Sequence, residues 1–197
     1  MATIGLSKPY YAIYSNTGAS VSYTGIALLG KAVEMSMELD GTDANILYAD
    51  NGPAESAQQF SGGTLTITTD DLLPDAAAGV LGMELQTVTD ESIATEAPKE
   101  LIFTGDQSIP YVGFGGIIKK QQSGVIKWMG FVFPKVQFAI PAVAATTQGE
   151  TIEWQTQELS ATIMRDDTAG HIWYRCALLD SEADAETYIK KLLGGAE

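Results

Sequence analysis

Cysteine and histidine are almost missing from this chain. Its 197 residues hold one of each, Cys176 and His171. A single cysteine forms no intrachain disulfide, so packing alone must hold the fold. A structural zinc site needs about four Cys or His ligands, which rules one out here. A Ser-His-Asp triad would have to be built on His171. Bases are scarce too: 11 Lys and Arg stand against 25 Asp and Glu, a formal net charge of −14. That argues against binding nucleic acid through phosphates, which needs a basic footprint. It also argues against adsorption to anionic membranes. No apolar run approaches the ~20 residues that span a bilayer. The opening Met1-Ala-Thr-Ile-Gly-Leu-Ser-Lys8 lacks a basic segment followed by an apolar one, so no secretory signal is expected. The expectation is a protein made and kept in a cytoplasm until it is assembled or released.

The motifs of common chemistries are absent as well. There is no GxGxxG, no GxxxxGK[ST] and no GxSxG. Gly113-Phe-Gly-Gly116 resembles a phosphate loop only in composition. It lies inside an expected hairpin rather than between a strand and a helix. Asp40-Gly-Thr-Asp43 lacks the ligand spacing and terminal glutamate of an EF-hand. Asp70-Asp71 is explained by capping at a helix start, and Asp166-Asp167 by turn chemistry. His171 reads as a surface or edge-strand residue ahead of Ile172-Trp-Tyr174. Cys176 reads as a small buried apolar group in a strand. Trp128, Trp154 and Trp173 fall at strand positions where core packing accounts for them better than sugar binding. No catalytic, cofactor or metal residue is assigned, and no enzyme is expected.

One absence is local. Residues 107–149 hold no Asp or Glu but four lysines, Lys119, Lys120, Lys127 and Lys135. Two readings stay open. The stretch is a self-association device, its basic surface meeting an acidic one on a second copy, or it is a half-buried hairpin that simply lacks acids.

What is present is alternation. Apolar residues make up 45% of the chain, enough for one domain with a core. Period-two patterns mark strands at Tyr10–Tyr14, Lys31–Leu39, Thr64–Thr69, Tyr111–Lys120, Val125–Phe133, Lys135–Ile140, Thr151–Thr156, Glu158–Arg165 and His171–Leu178. In Lys31–Leu39, Val33, Met35, Met37 and Leu39 share one face and Ala32, Glu34, Ser36 and Glu38 the other. Gln121-Gln-Ser-Gly124 is a hairpin turn. Gly113, Gly115, Gly116 and Gly130 predict bulges or close backbone approach. A helix is expected after Asp70-Asp71, with Leu72, Leu73, Ala76, Ala77, Val80 and Leu81 as its apolar stripe and Gly82 as its stop. A second starts at the near capping box Ser181…Asp184 and stops at Gly194. Asp40–Gly63 and Ala139–Gly149 read as long loops.

These residues also carry a resemblance. The run Ala44-Asn-Ile-Leu-Tyr-Ala-Asp-Asn-Gly-Pro-Ala-Glu-Ser56, continuing through Phe60-Ser-Gly-Gly-Thr-Leu-Thr-Ile-Thr-Thr-Asp-Asp-Leu-Leu-Pro74, resembles the major tail protein (tail tube) family of long-tailed, siphovirus-type bacteriophages and prophages. So do Ile4–Tyr14, Leu29–Leu39, Pro110–Gly116, Pro134–Phe138, Ala145–Thr156 and Thr162–Asp167. The likeness covers nearly the whole chain and is weakest over Leu85–Leu101, read as a variable surface region (85–101). It implies a mainly β fold, a β-sandwich or split barrel with one or two flanking helices, forming a single domain (1–197). It further implies homohexameric rings stacked into a hollow tube in the virion. Partners would be further copies, a tape-measure protein, a tail terminator and distal tail-tip proteins. Phage DNA would pass through without specific binding, and no membrane would be involved.

On this reading Glu34 and Glu38, or the strands of Glu153 and Glu158, would line an acidic lumen. The 40–63 loop would reach the adjacent ring, and the basic hairpin of Lys119, Lys120, Lys127 and Lys135 would lie between subunits. The inner-tube protein of a contractile tail or tail-like bacteriocin shares this mechanism, and a neighbouring sheath gene would distinguish it. A monomeric β-sandwich binding carbohydrate is the alternative from another class, and it predicts an exposed aromatic cluster without self-assembly.

Overall fold

Two residues in left-handed backbone, Ser123 (φ 50°) and Gly124 (φ 82°), turn the chain between the two strands with the longest unbroken buried runs. Positive φ at both central positions matches the twist of a tight hairpin. The strands are β9 (Val112–Gln122) and β10 (Val125–Phe138). The computed structural model describes residues 1–18, 20–40, 60–89, 98–142, 147 and 156–195, and the backbone of 45–49 and 52–57.

Around this hairpin the chain runs β1 (Ala2–Asn16), β2 (Val21–Leu28), β3 (Ala32–Asp40), β4 (Asn45–Ala49), β5 (Gly52–Ala57), β6 (Gly62–Thr69) and α1 (Pro74–Leu81). Then come β7 (Glu84–Thr87), β8 (Lys99–Ile102), the hairpin, β11 (Gln157–Met164), β12 (Arg175–Leu179) and α2 (Glu182–Leu192). The main sheet is antiparallel in the order β2-β1-β9-β10-β11-β6-β3, with β12 also on β10. It curls enough to bring β3 near β1 without pairing with it. The fold is mainly β, a sandwich-like wrap with two flanking helices.

The inner face of the wrap closes on Leu65, Ile67, Phe114, Phe131, Phe133, Phe138, Leu159 and Ile163, all at most 1% exposed. Their rings meet edge-on or tilted: Phe114 on Phe138 at 5.9 Å, Phe131 on Phe133 at 5.9 Å. α1 adds Ala76, Ala77, Val80 and Leu81 to this cluster. A second, smaller cluster lies on the outside, where α2 sets Ala185, Ile189 and Leu193 against Tyr10, Ala12, Ile117 and Val132. The hairpin glycines make that seat. A Cβ on Gly113 would meet Leu193 at 2.6 Å, one on Gly115 would meet Ile189 at 3.0 Å, and one on Gly130 would meet Tyr188 at 3.0 Å. The expected close approach is therefore the helix itself.

α2 is also held by charge. Glu186 accepts from Lys8 at 2.5 Å and Tyr10 at 2.7 Å, and pairs with Lys190 at 2.6 Å. Lys8 stands at φ 51°, in the bulge where β1 shifts register against β9 between Ser7 and Tyr10. These donors, Lys190 first and then Lys8 and Tyr10, lower the Glu186 pKa from 4.5 to about 2. A depressed carboxylate stabilises the fold fully above its ordinary pKa and loses that contribution as pH falls toward the folded value. With screening around the half-exposed lysines, Glu186→Gln is expected to cost about 1–2 kcal/mol at pH 7. The gap to the parent should shrink between pH 4.5 and pH 2. Urea unfolding at pH 7 and at about pH 3 measures this; an equal gap at both would remove the assignment.

Several sequence expectations shift. α1 starts at Pro74 with Leu73 as an N-cap that makes no side-chain bond, so Asp70 and Asp71 do not cap it. Asp70 instead accepts from the Lys31 amide at 2.9 Å and the Asp71 amide at 3.0 Å, tying the start of β3 to the end of β6. The second cap holds, with Ser181 accepting from the Asp184 amide at 3.1 Å. A bulge between Ala32 and Glu34 turns Ala32 to the core and leaves Val33 exposed. β10 is one strand through Pro134. His171 sits in a turn at φ 47°, and its strand begins only at Arg175. Cys176 is exposed, not buried. The segment 40–63 carries the β4–β5 hairpin, and 85–101 falls within the β7–β8 hairpin region. The strand expected at Thr151–Thr156 lies outside the described residues save Thr156. Among the described residues no helix is long and apolar enough to cross a membrane.

Candidate functional site: an acidic hydroxyl face

β6 reads Gly62-Gly-Thr-Leu-Thr-Ile-Thr-Thr69. Its alternation sends Leu65 and Ile67 into the core and Thr64, Thr66 and Thr68 to the opposite face. Pairing carries this face onto both neighbours. Across β3, Glu38 stands opposite Thr64, Ser36 opposite Thr66 and Glu34 opposite Thr68. Across β11, Thr162, Ser160 and Glu158 take the same three positions. The result is three cross-strand rows: Glu38–Thr64–Thr162, Ser36–Thr66–Ser160 and Glu34–Thr68–Glu158. Gln137 of β10 extends the first row opposite Thr162.

Three strands give a face about 10 Å wide between outer backbones, and five residues give it about 13 Å of length. Every side chain of the three rows on β3, β6 and β11 is a hydroxyl or a carboxylate, and Gln137 adds one amide at the margin. Glu34, Glu38 and Glu158 are exposed, and none forms an ion pair among the described residues. Glu34 and Glu158 flank Thr68 with backbones about 10 Å apart. Such a surface holds water and counter-ions and repels polyanions. It offers no aromatic ring for stacking a sugar or a base. It also runs to an edge, because β3 pairs only with β6 among the described residues. Unpaired backbone along such an edge is a template for another chain.

Three of the four acids expected to line a lumen thus share one face. Glu153 lies outside the described residues. The hydroxyls of Ser36, Ser160 and Thr162 complete the surface; alternation already set Ser36 beside Glu34 and Glu38, and the strand register adds Ser160 and Thr162.

The four lysines part company. Lys119, Lys120 and Lys127 share the turn end of the β9–β10 hairpin. Lys119 lies over the Trp128 ring at 5.1 Å, and Lys127 pairs with Asp180. Lys135 sits near the other end of β10, its side chain 14% exposed, over the rings of Tyr14 and Tyr111 and 2.7 Å from Asp167. There it holds Asp167 below the usual carboxylate range. Burial and the same Asp167 push the Tyr14 hydroxyl up to about 12.

The remaining residues weighed for chemistry organise structure. Asp166 is buried and accepts from the Ile172 amide at 2.7 Å and the Thr168 hydroxyl at 2.7 Å. The His171 ring faces the Asp166 carbonyl. Trp173 stacks on Phe60 at 4.5 Å, and Trp128 packs against the α2 cluster. Trp154 lies outside the described residues. Among the described residues no three His, Cys, Asp or Glu side chains are placed to hold a metal ion. The sequence matches no protein-family model, and no curated protein matches it.

Proposed function

We propose that this chain is a structural subunit that polymerises into a hollow tube, the major tail protein of a long-tailed phage. The observation that carries the reading is the acidic hydroxyl face ending at an open sheet edge. Copies joined edge to edge in a ring would continue that face from subunit to subunit. Three strands from each of six copies make roughly 18, the size class in which a closed barrel keeps an aqueous channel. The wall of that channel would carry Glu34, Glu38 and Glu158 from every copy. DNA brings one negative charge per about 1.7 Å of duplex, so an acidic wall lets it slide where a basic wall would hold it. Ring closure would also cover strand edges that are a liability in a monomer.

Negative-stain electron microscopy of the purified chain over a concentration series, with light scattering alongside, tests this. Rings or hollow tubes of uniform diameter are expected. A strict monomer at every concentration, even with tail-tip components added, would overturn the proposal.

A further inference from the structure

The molecule is lopsided in charge along its strands. β9 runs from Val112, beside the α1 end, to Gln122 at the hairpin turn, a span of about 33 Å. At the turn end Lys120 stands directly opposite Lys127, and like charges facing across a ladder are destabilising. Asp180 offsets Lys127. Lys120 has no ion-pair partner among the described residues. Around it Ile4, Val125 and Ile126 are 41–54% exposed. This is a basic arm with apolar residues left in water.

The opposite end is its complement. Gly82 packs on Ser108 and Pro110, and Gln107 donates to the Leu81 carbonyl, which sets α1 and its neighbours beside the start of β9. There Asp71, Glu84, Glu100 and Asp106 are exposed and form no ion pair among the described residues. Beside them Leu73 is 54% and Phe103 57% exposed. One end offers a cation and apolar side chains; the other offers anions and apolar side chains, its two lysines, Lys31 and Lys99, being paired with Asp70 and Asp75.

The geometry points to a second copy of this chain as the occupant of each end. The β1/β9/β10 arm of one subunit docks on the α1–β8 end of the next, and Lys120 takes a carboxylate there. The inference rests on the tube reading and assigns its stacking surfaces. Because the two patches differ, the contact is head-to-tail and propagates rather than closing.

Lys120→Glu separates this role from a structural one. Within the subunit the new carboxylate would face Lys127 and relieve the like-charge pair, raising Tm by about 1–3 °C. Between subunits it would meet acids, raising the concentration at which stacked particles appear by at least tenfold at low salt. Glu100→Lys combined with Asp106→Lys should bring the same loss from the other end. Mixing the two variants should restore stacking. Light scattering and sedimentation velocity read the onset, and circular dichroism checks folding. Lys120→Gln gives a smaller loss of the same sign and serves should the reversal misfold. Stacking of Lys120→Glu at parental concentrations, or a mixture no better than either variant alone, would overturn the assignment. If the parent chain and Lys120→Glu both build tubes, the tube reading stands and only this pairing of ends falls. If the parent never assembles, both fall.

Discussion

Replacing Glu34, Glu38 and Glu158 together by lysine is expected to slow DNA release from assembled particles by at least tenfold while leaving folding and assembly intact. The three side chains point away from the core and lean on no base among the described residues. Surface changes of this kind usually stay within about 0.5 kcal/mol each. The electrostatic effect is far larger. Each reversal changes the face by two charges, so the wall of the proposed six-copy ring would gain roughly 36 positive units along a path where phosphates would pass about every 1.7 Å. Phosphate contacts release counter-ions, so the retardation should be greatest at about 50 mM salt and fade by 200 mM. Dye release from particles after triggering, followed at both salts, gives the rate. Parental rates at low salt would place this face away from the DNA path.

Gly115→Val is expected to lower stability by about 3 kcal/mol, the upper part of the overpacking range. For a chain of this size that is a fall in Tm of about 6–12 °C. A Cβ at 115 would stand 2.7 Å from the Phe131 carbonyl oxygen, 3.0 Å from Ile189 and 3.1 Å from Val132. The first neighbour is ladder backbone and cannot turn aside. The other two are the floor and roof of the α2 seat, so the helix must lift and expose Ile189. Gly105→Ala is the control, since nothing lies within 4 Å of a Cβ there, and it should stay within about 0.5 kcal/mol. Thermal unfolding reads both. A Gly115→Val protein melting within about 2 °C of its parent would mean that α2 does not bear on the sheet as described.

The parts of this fold legible in the sequence are those whose cause is local. Ser181 and Asp184 lie three residues apart and cap α2 as their spacing predicts. Thr64 to Thr69 alternates cleanly because one side is core, and the same logic placed Glu34, Glu38 and Glu158 on wet faces. What the sequence could not show is which wet faces coincide, since that depends on the β3-β6-β11 order and on registers between residues about 20–40 positions apart across β3–β6 and about 90–100 apart across β6–β11. β2 escaped notice because Val21–Leu28 has no continuous buried side. Asp70 read as a cap because the amide it accepts from, that of Lys31, is 39 residues away, while Asp71 accepts from the adjoining Leu72 amide. The four lysines read as one group, yet Lys135 is drawn into a Tyr14–Asp167 cluster that no spacing announces.

The contact between Lys8 and Glu186 spans 178 positions, and it has a consequence in time. β1, one strand in from the β2 edge of the sheet, stays without its helix until nearly all of the intervening chain has been synthesised. Pairings of such range are slow to close. On the ribosome the α2 seat is therefore empty, its glycines and Tyr10 uncovered, while the hairpin that forms it is already made. The outer cluster around α2 is therefore the last part of the fold that can close, whatever the order in which the rest forms.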